Sequence, residues 1–235
     1  HIGFPLRTNA SFSDKIALEG NIGYGFKDKR LKGMARISLD LPTPRKHQIH
    51  MEYRDGYVWS EVDDFDRMLR ENSMGKGDMD FTSYAFEALH RDSLYINTAI
   101  RQQQLQFYWF ADWTPNVETH TYIRAGWHHG LPHLSTQPIV HHPYAYQSFS
   151  FITRFSWQER KHDSFFMRRY TYSSRYPVLW VGLAAGHWAY TTPHANSNLY
   201  AHLRLMLMQH ASLGIGGKLT YALQAGALFG NATDA

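Results

Sequence analysis

Apolar and polar residues alternate with a period of two near the start of the chain, over residues 15–41. A charged segment at residues 27–30 interrupts the alternation once, and the pattern then resumes. Successive side chains of a strand point to opposite faces, so this pattern predicts a β-hairpin with one apolar face. That face consists of Ile16, Leu18, Ile22, Tyr24 and Phe26 in the first strand and of Leu31, Gly33, Ala35, Ile37, Leu39 and Leu41 in the second.

The same alternation recurs along the rest of the chain and predicts about nine strands in all. The predicted strands cover residues 16–26, 31–41, 47–59, 104–113, 119–128, 147–157, 178–186, 199–210 and 215–229. Short turns join several of them, which indicates antiparallel pairing. Two long polar connections, at about 57–97 and 130–145, stand out because loops of this length are unusual inside a compact domain. The predicted fold is therefore all-β and antiparallel.

The length of the strands favours one of two β architectures. Strands of about 10–13 residues exceed the usual globular length of about 5–6 residues and suit a transmembrane β-barrel. Aromatic residues near strand ends resemble the girdle of such a barrel: Trp113, Trp127, Trp157, Trp188 and Tyr190. The alternative is a soluble β-sandwich or a lipocalin-like ligand-binding barrel. Its core would then consist of the apolar set of alternate strand positions, here called the apolar parity. A charge at Leu203 would block membrane insertion in the first case and disrupt a core in the second.

Composition narrows the classes of protein further. The chain has 235 residues, of which 43% are hydrophobic, so global disorder is excluded. No apolar run reaches the length of about 18 residues that a transmembrane helix needs, whereas a barrel strand needs only about 9–11. The chain has no cysteine, which excludes disulfides and thiolate metal sites. The chain begins at His1 rather than Met, and its first residues resemble the end of a strand, so we expect a fragment or a processed product.

Charged residues at the other set of alternate strand positions, here called the polar parity, are predicted to face the interior of the barrel. They are Lys15, Glu19, Lys32, Arg36, Asp40, Glu52, Arg54, Arg124, Arg154, Arg204 and Lys218. Charge facing lipid is costly but is tolerated in a wet lumen. These residues either favour anions in an open lumen or pair with one another and fill it. The second interpretation is preferred.

Histidines in the second long connection are the strongest candidate metal ligands. They are His128, His129, His133, His141 and His142. Imidazoles from one loop can converge on Zn²⁺ or Cu²⁺. However, Gly130 and Pro132 argue against the helix that would bring His129 and His133 together at i and i+4. Solvated loop histidines are the simpler interpretation, and no cofactor is predicted.

Residues 159–175 are basic and aromatic without a clear period. Such a mixture is typical of RNA-binding surfaces. In a membrane barrel it fits better as a segment of the lumen or of the periplasmic rim, so no nucleic-acid partner is predicted.

Three segments resemble a known outer-membrane family. They are RTNASFSDKIALEGNIGYGFKDKRLKG, SSRYPVLWVGLAAG and SLGIGGKLTYALQAGALFG, in residues 7–33, 173–186 and 212–230. In this order they resemble motifs of the domain-of-unknown-function family 5686 of Gram-negative bacteria. That family is often found behind a carboxypeptidase-regulatory-like domain, and its barrel is similar to surface-antigen barrels of the assembly-factor type.

The resemblance implies a transmembrane β-barrel in the cell outer membrane, with residues 1–235 as part of one barrel domain and more strands before and after them. No catalytic motif stands out in the sequence, so the chain is not predicted to be an enzyme. Transport, surface assembly and anchoring of envelope components are the roles that the resemblance suggests. The expected partners are outer-membrane lipid, with lipopolysaccharide and other envelope proteins as further candidates.

Overall fold

The computed structural model describes residues 2–26, 29–59, 99–129, 143–164, 166–171, 175–190, 197–212 and 214–230. These residues form one ten-stranded antiparallel sheet and a separate two-stranded hairpin. The prediction of an all-β antiparallel fold is confirmed. Within the described ranges, no helix has both the length and the apolar character needed to cross a membrane.

The strands follow the chain in a simple order. They are β1 (Ile2–Arg7), β2 (Ile16–Gly25), β3 (Arg30–Asp40), β4 (His47–Trp59), β5 (Ala99–Thr114), β6 (Val117–His129), β7 (Tyr144–Phe155), β8 (Arg160–Ser164), β9 (Met167–Thr171), β10 (Val178–Tyr190), β11 (Ser197–Ser212) and β12 (Lys218–Gly230). Each strand of the main sheet pairs with its neighbour in sequence, except that β7 pairs with β10 and leaves β8 and β9 outside as their own hairpin. In the described part of the chain, β1 and β12 are the two edges, so the sheet is not closed.

The structure differs from the prediction in the number and length of strands. Ten strands form the main sheet, against about nine expected; β8 and β9 were not predicted, and β1 was expected only as the end of a strand. These three strands have only five or six residues each, too few for a period of two to stand out. Two strands beside the long connections extend further than expected, because β5 begins at Ala99 and β7 begins at Tyr144, whereas β4 ends at Trp59 as predicted. Residues 60–98 and 130–142 lie outside the described residues.

The two ends of the sheet differ in their connections. One end, here called the short-loop rim, carries residues 41–46, 115–116 and 213–217 between neighbouring strands. The opposite end, the long-loop rim, carries the connections of residues 60–98, 130–143 and 191–196. Chain direction places the segment between β7 and β10, which contains β8 and β9, at the short-loop rim.

The apolar parity forms one continuous face, here called the outer face. Strand register aligns the predicted apolar positions from strand to strand: Leu18, Ile37, Met51, Phe107, Ile123 and Phe149 make one row across β2 to β7. Large apolar side chains on this face are exposed, including Leu105 and Leu183 at 53% and Leu223 at 67%. The apolar parity is therefore not a core in the described part of the chain.

The opposite parity, here called the inner face, is buried. It holds charged and amide side chains with almost no exposure, among them Glu52 and Gln104 at 2%. A smaller apolar cluster lies on the same face: Tyr108, Phe110, Tyr122, Ile152, Val178, Trp180, Met206 and Met208. A wide twisted sheet coils, so the side chains of its concave face crowd together. This curvature explains how one sheet buries one of its faces.

Candidate functional site: the polar inner face

A ladder of ion pairs crosses the first four strands on the inner face. Arg7, Glu19, Arg36 and Glu52 are opposite one another in the register of β1 to β4. The Arg7 Nε lies 2.7 Å from Glu19 Oε1, and Arg36 Nε donates to Glu52 Oε2 at 2.8 Å. Arg36 Nη1 also approaches Glu19 Oε2 at 3.5 Å, and Arg54 Nη2 lies 2.8 Å from Glu52 Oε1. Arginine and glutamate thus alternate from strand to strand.

Amides continue this row across β5 and β6. Arg124 Nε donates to Gln106 Oε1 at 2.7 Å, and Gln104 Nε2 donates to the same oxygen at 3.1 Å. The Tyr146 hydroxyl donates to Gln104 Oε1 at 3.0 Å and accepts from Gln102 Nε2 at 2.7 Å. The chain of hydrogen bonds pairs most of the polar groups that the curved sheet has removed from bulk water.

A second ionic cluster lies close to the short-loop rim. Arg154 donates from Nη1 to Glu118 Oε2 at 3.3 Å and from Nη2 to Glu159 Oε1 at 2.5 Å. The side chains of Arg154 and Glu118 have 0% exposure. Lys161 Nζ bridges two acids, at 2.8 Å from Glu118 Oε1 and 3.2 Å from Asp112 Oδ1. Burying single charges is costly, and partners at these distances offset that cost.

The structure places most of the predicted interior charges on the buried parity. Glu19, Arg36, Glu52 and Arg54 form the ladder, and Arg124 and Arg154 belong to the two networks described above. Asp40 accepts from Gln48 Nε2 at 3.5 Å, and Lys32 and Arg204 are half-buried on the same face. Lys15 instead lies just before β2 and is exposed. For Lys218, the description covers only the backbone, which pairs with Ser212. Whether this face lines a lumen stays a prediction.

The candidate metal site is only partly described. His133, His141 and His142 lie outside the described residues. His128 and His129 are adjacent in β6, so their side chains leave on opposite faces. His128 contacts Gln102 Nε2 at 3.1 Å and the Tyr144 hydroxyl on the inner face. In the described ranges, no group of three or more His, Cys, Asp or Glu side chains is arranged so that it could hold a metal ion.

A polar patch on the outer face marks where the apolar surface ends. At the long-loop rim, Arg101 holds Asp55 with two hydrogen bonds of 2.8 and 2.6 Å. Gln103 Nε2 donates to the same carboxylate at 3.0 Å, and His129 Nε2 lies 3.2 Å from Gln103 Oε1. This patch is continuous with the exposed Trp127, which is opposite Gln103 in the register.

The apolar band between this patch and the short-loop rim has a definite height. On β5 it runs from Leu105 to Trp113. Nine residues at about 3.3 Å each, tilted by about 40°, give a band of about 20 Å, close to the apolar band of about 25 Å on membrane barrels. At its lower edge the Trp113 ring packs against the His47 ring at 5.2 Å and its Nε1 donates to Thr119 at 2.8 Å.

One predicted girdle residue lies on the other face. Trp188 is only 6% exposed, points to the inner face and packs its ring 6.1 Å from that of Tyr144. Because β10 is apolar on both parities, the sequence pattern did not indicate its orientation. Trp113, Trp127 and Trp157 are exposed, as a girdle requires.

Several residues of the ionic clusters were not predicted. Arg7 lies in β1, which is too short for a period-two pattern, and Glu159, Lys161 and Tyr170 lie in a segment without periodicity. Their basic and aromatic composition was the only signal. Their role depends on contacts with strands far away in sequence, such as that of Lys161 with Asp112.

No family model, curated protein or solved structure matches the chain. The resemblance to domain-of-unknown-function family 5686 therefore stays an expectation from the three sequence segments.

Proposed function

We propose that the chain is part of a transmembrane β-barrel in the outer membrane of a Gram-negative cell, where it serves in transport, surface assembly or anchoring of envelope components and is not an enzyme. One observation carries the proposal, namely the reversed polarity of the sheet. The outer face exposes large apolar side chains such as Leu183, whereas the inner face buries ions such as Arg154 and Glu118. Lipid outside and water inside is the environment in which this distribution is stable.

The reversed polarity argues against a soluble ligand-binding barrel or sandwich. In such proteins the apolar parity packs inside and the polar parity faces water. Here the exposed apolar row continues across the sheet from Leu18 on β2 to Phe229 on β12. Soluble monomers rarely expose contiguous apolar patches of more than a few hundred Å².

The two rims suggest an orientation in the membrane. Outer-membrane barrels have short periplasmic turns and longer extracellular loops. The short-loop rim is thus assigned to the periplasm and the long-loop rim to the cell surface. Lys29 and Arg30 are exposed at the long-loop rim, where phosphate groups of lipopolysaccharide would be their partners.

Fractionation and gel mobility test the proposal on the full-length protein. The expected result is recovery in the outer-membrane fraction, with a detergent-solubilised band that changes mobility after boiling. A closed hydrogen-bonded barrel resists detergent until heated, because its backbone groups are paired within the barrel. A protein found in the soluble fraction, with equal mobility before and after boiling, would refute the membrane assignment.

A further inference from the structure

The β8–β9 hairpin lies across the inner face instead of extending the sheet. Near its tip, Asp163 Oδ1 lies 3.5 Å from Lys46 Nζ, and the Phe166 ring lies 6.3 Å from that of His50. Near its base, Lys161 contacts Asp112 on β5 and Glu118 on β6. The hairpin therefore crosses the inner side of β4 to β7, a width of about 14 Å at about 4.8 Å per strand spacing.

The base of the hairpin is held by buried groups. The Tyr170 hydroxyl donates to Glu118 Oε2 at 3.0 Å, and the Arg154 guanidinium lies 4.3 Å from the centre of the Tyr170 ring. Lys161 is 12% exposed and Glu118 is fully buried, so their ion pair is largely shielded from water. Tyr170 also packs against the apolar cluster of the inner face. These contacts fix the hairpin to the wall of the sheet.

The tip of the hairpin makes a weaker ion pair than the base does. Its ion pair with Lys46 is longer, and the Asp163 side chain is 42% exposed. Exposed ion pairs contribute little to stability. The ion pairs that Asp112 and Glu118 make with Lys161 at the base are shorter and less exposed than the one at the tip.

The position of the hairpin matters because of the size of the barrel. An interior formed by about eight strands is just filled by side chains, and a wider barrel leaves free space unless a segment enters it. Ten strands already form this sheet. The hairpin enters from the short-loop rim, since it connects the end of β7 to the start of β10.

We propose that the β8–β9 hairpin is a built-in constriction, which closes the interior to solutes at the short-loop rim and opens when its base separates from Glu118 and Asp112. The proposal rests on the barrel function proposed above. It assigns a role to the basic, aromatic segment that the sequence pattern left unexplained.

Single-channel conductance of the purified full-length protein in planar lipid bilayers tests the constriction. Lys161→Glu places a third carboxylate beside Asp112 and Glu118 and should repel the base. A severalfold higher conductance than that of the unsubstituted protein is expected for this variant, and also when residues 160–171 are replaced by a short Gly-Ser linker. The matched control is Arg160→Glu, which makes the same change of charge at an exposed neighbouring position and should leave conductance unchanged.

A reversible crosslink provides the opposite perturbation. Residues 1–235 contain no cysteine, so Lys46→Cys with Asp163→Cys introduces two thiols at chosen positions, with any cysteine elsewhere in the full-length protein replaced by serine. Joined by a short, reducible thiol crosslinker in the Lys161→Glu background, they should return conductance to the low level until a reductant is added.

The outcomes separate the constriction from the barrel itself. Equal conductance of the linker variant and the unsubstituted protein, with both heat-modifiable and in the outer membrane, would overturn the constriction and leave the barrel standing. Recovery of the unsubstituted protein in the soluble fraction without a mobility change would overturn both.

Discussion

Replacing Leu183 by arginine tests whether the outer face meets lipid. Leu183 lies near the middle of β10, is 53% exposed and is opposite Phe151 on β7 and Leu203 on β11. The substitution adds a charge to the centre of the apolar band without removing a contact of the inner face. The expected effect depends on what surrounds Leu183.

Lipid and water around Leu183 predict clearly different losses of folding free energy for the arginine substitution. Arginine on the lipid face of a barrel costs about 2–4 kcal/mol at the bilayer midplane and about 0–1 kcal/mol near the interfaces. At an exposed site in water, the same change stays within about 0.5 kcal/mol. A cost of about 3 kcal/mol corresponds to a change of about 150-fold in the folding equilibrium. Leu199→Arg is the matched control, because Leu199 is 71% exposed and lies at the long-loop rim.

Urea titration of folding into lipid vesicles measures these costs, with the fraction folded obtained from unboiled gel mobility. Leu183→Arg should lose about 2–4 kcal/mol of folding free energy, and Leu199→Arg no more than about 1 kcal/mol. Equal losses within about 0.5 kcal/mol, or a loss at Leu183 of less than about 0.5 kcal/mol, would refute the reasoning that this face contacts lipid.

Substitutions at three further positions test the inner face and the path of the chain. Arg154→Met should cost about 3–5 kcal/mol in the same urea titration, because it leaves the buried Glu159 without its cation; a loss below about 1 kcal/mol would contradict this. Gln158 has a φ of 56° where the chain turns towards the hairpin, so Gln158→Pro should expose the bond after Arg160 to trypsin while Gln158→Gly should not; equal cleavage would count against this turn. Gly126→Ala should lower the folding free energy in the urea titration by about 1–3 kcal/mol, since an added Cβ would lie 2.2 Å from the carbonyl oxygen of Gln103. An unchanged titration midpoint would contradict this close approach of β5 and β6.

The face assignment of the long strands was predictable because it depends on a local property. Neighbouring side chains of a strand point to opposite faces. The side chains of Leu18 and Glu19 therefore lie on opposite faces of β2, independently of the rest of the fold. Ion pairs such as Arg36 with Glu52 then depend only on register, which short turns restrict. The exposure of the apolar parity was less certain from sequence, since the pattern fits either a core or a lipid-facing surface.

The hairpin was not predictable for the opposite reason. Lys161 and Tyr170 have positions set by Glu118, Asp112 and Arg154, which belong to other strands. No spacing within residues 159–175 encodes these contacts. Trp188 shows the same limit on a smaller scale, because a strand that is apolar on both faces carries no parity signal.

The pairing of charges on the inner face predicts weak charge selectivity. In the ladder, Glu19 and Glu52 lie between three arginines, and near the short-loop rim Arg154 and Lys161 lie among three acids. Opposite charges about 3 Å apart largely cancel at the distance of a passing ion.

Passage of solutes through the interior should therefore be limited by the space that the hairpin leaves rather than by the sign of the solute's charge. In a gradient of potassium chloride, the reversal potential of the unsubstituted protein should stay near zero, because its ion pairs are intact. A strongly anion-selective reversal potential would contradict the cancellation and would mean that the inner face acts as a cationic surface.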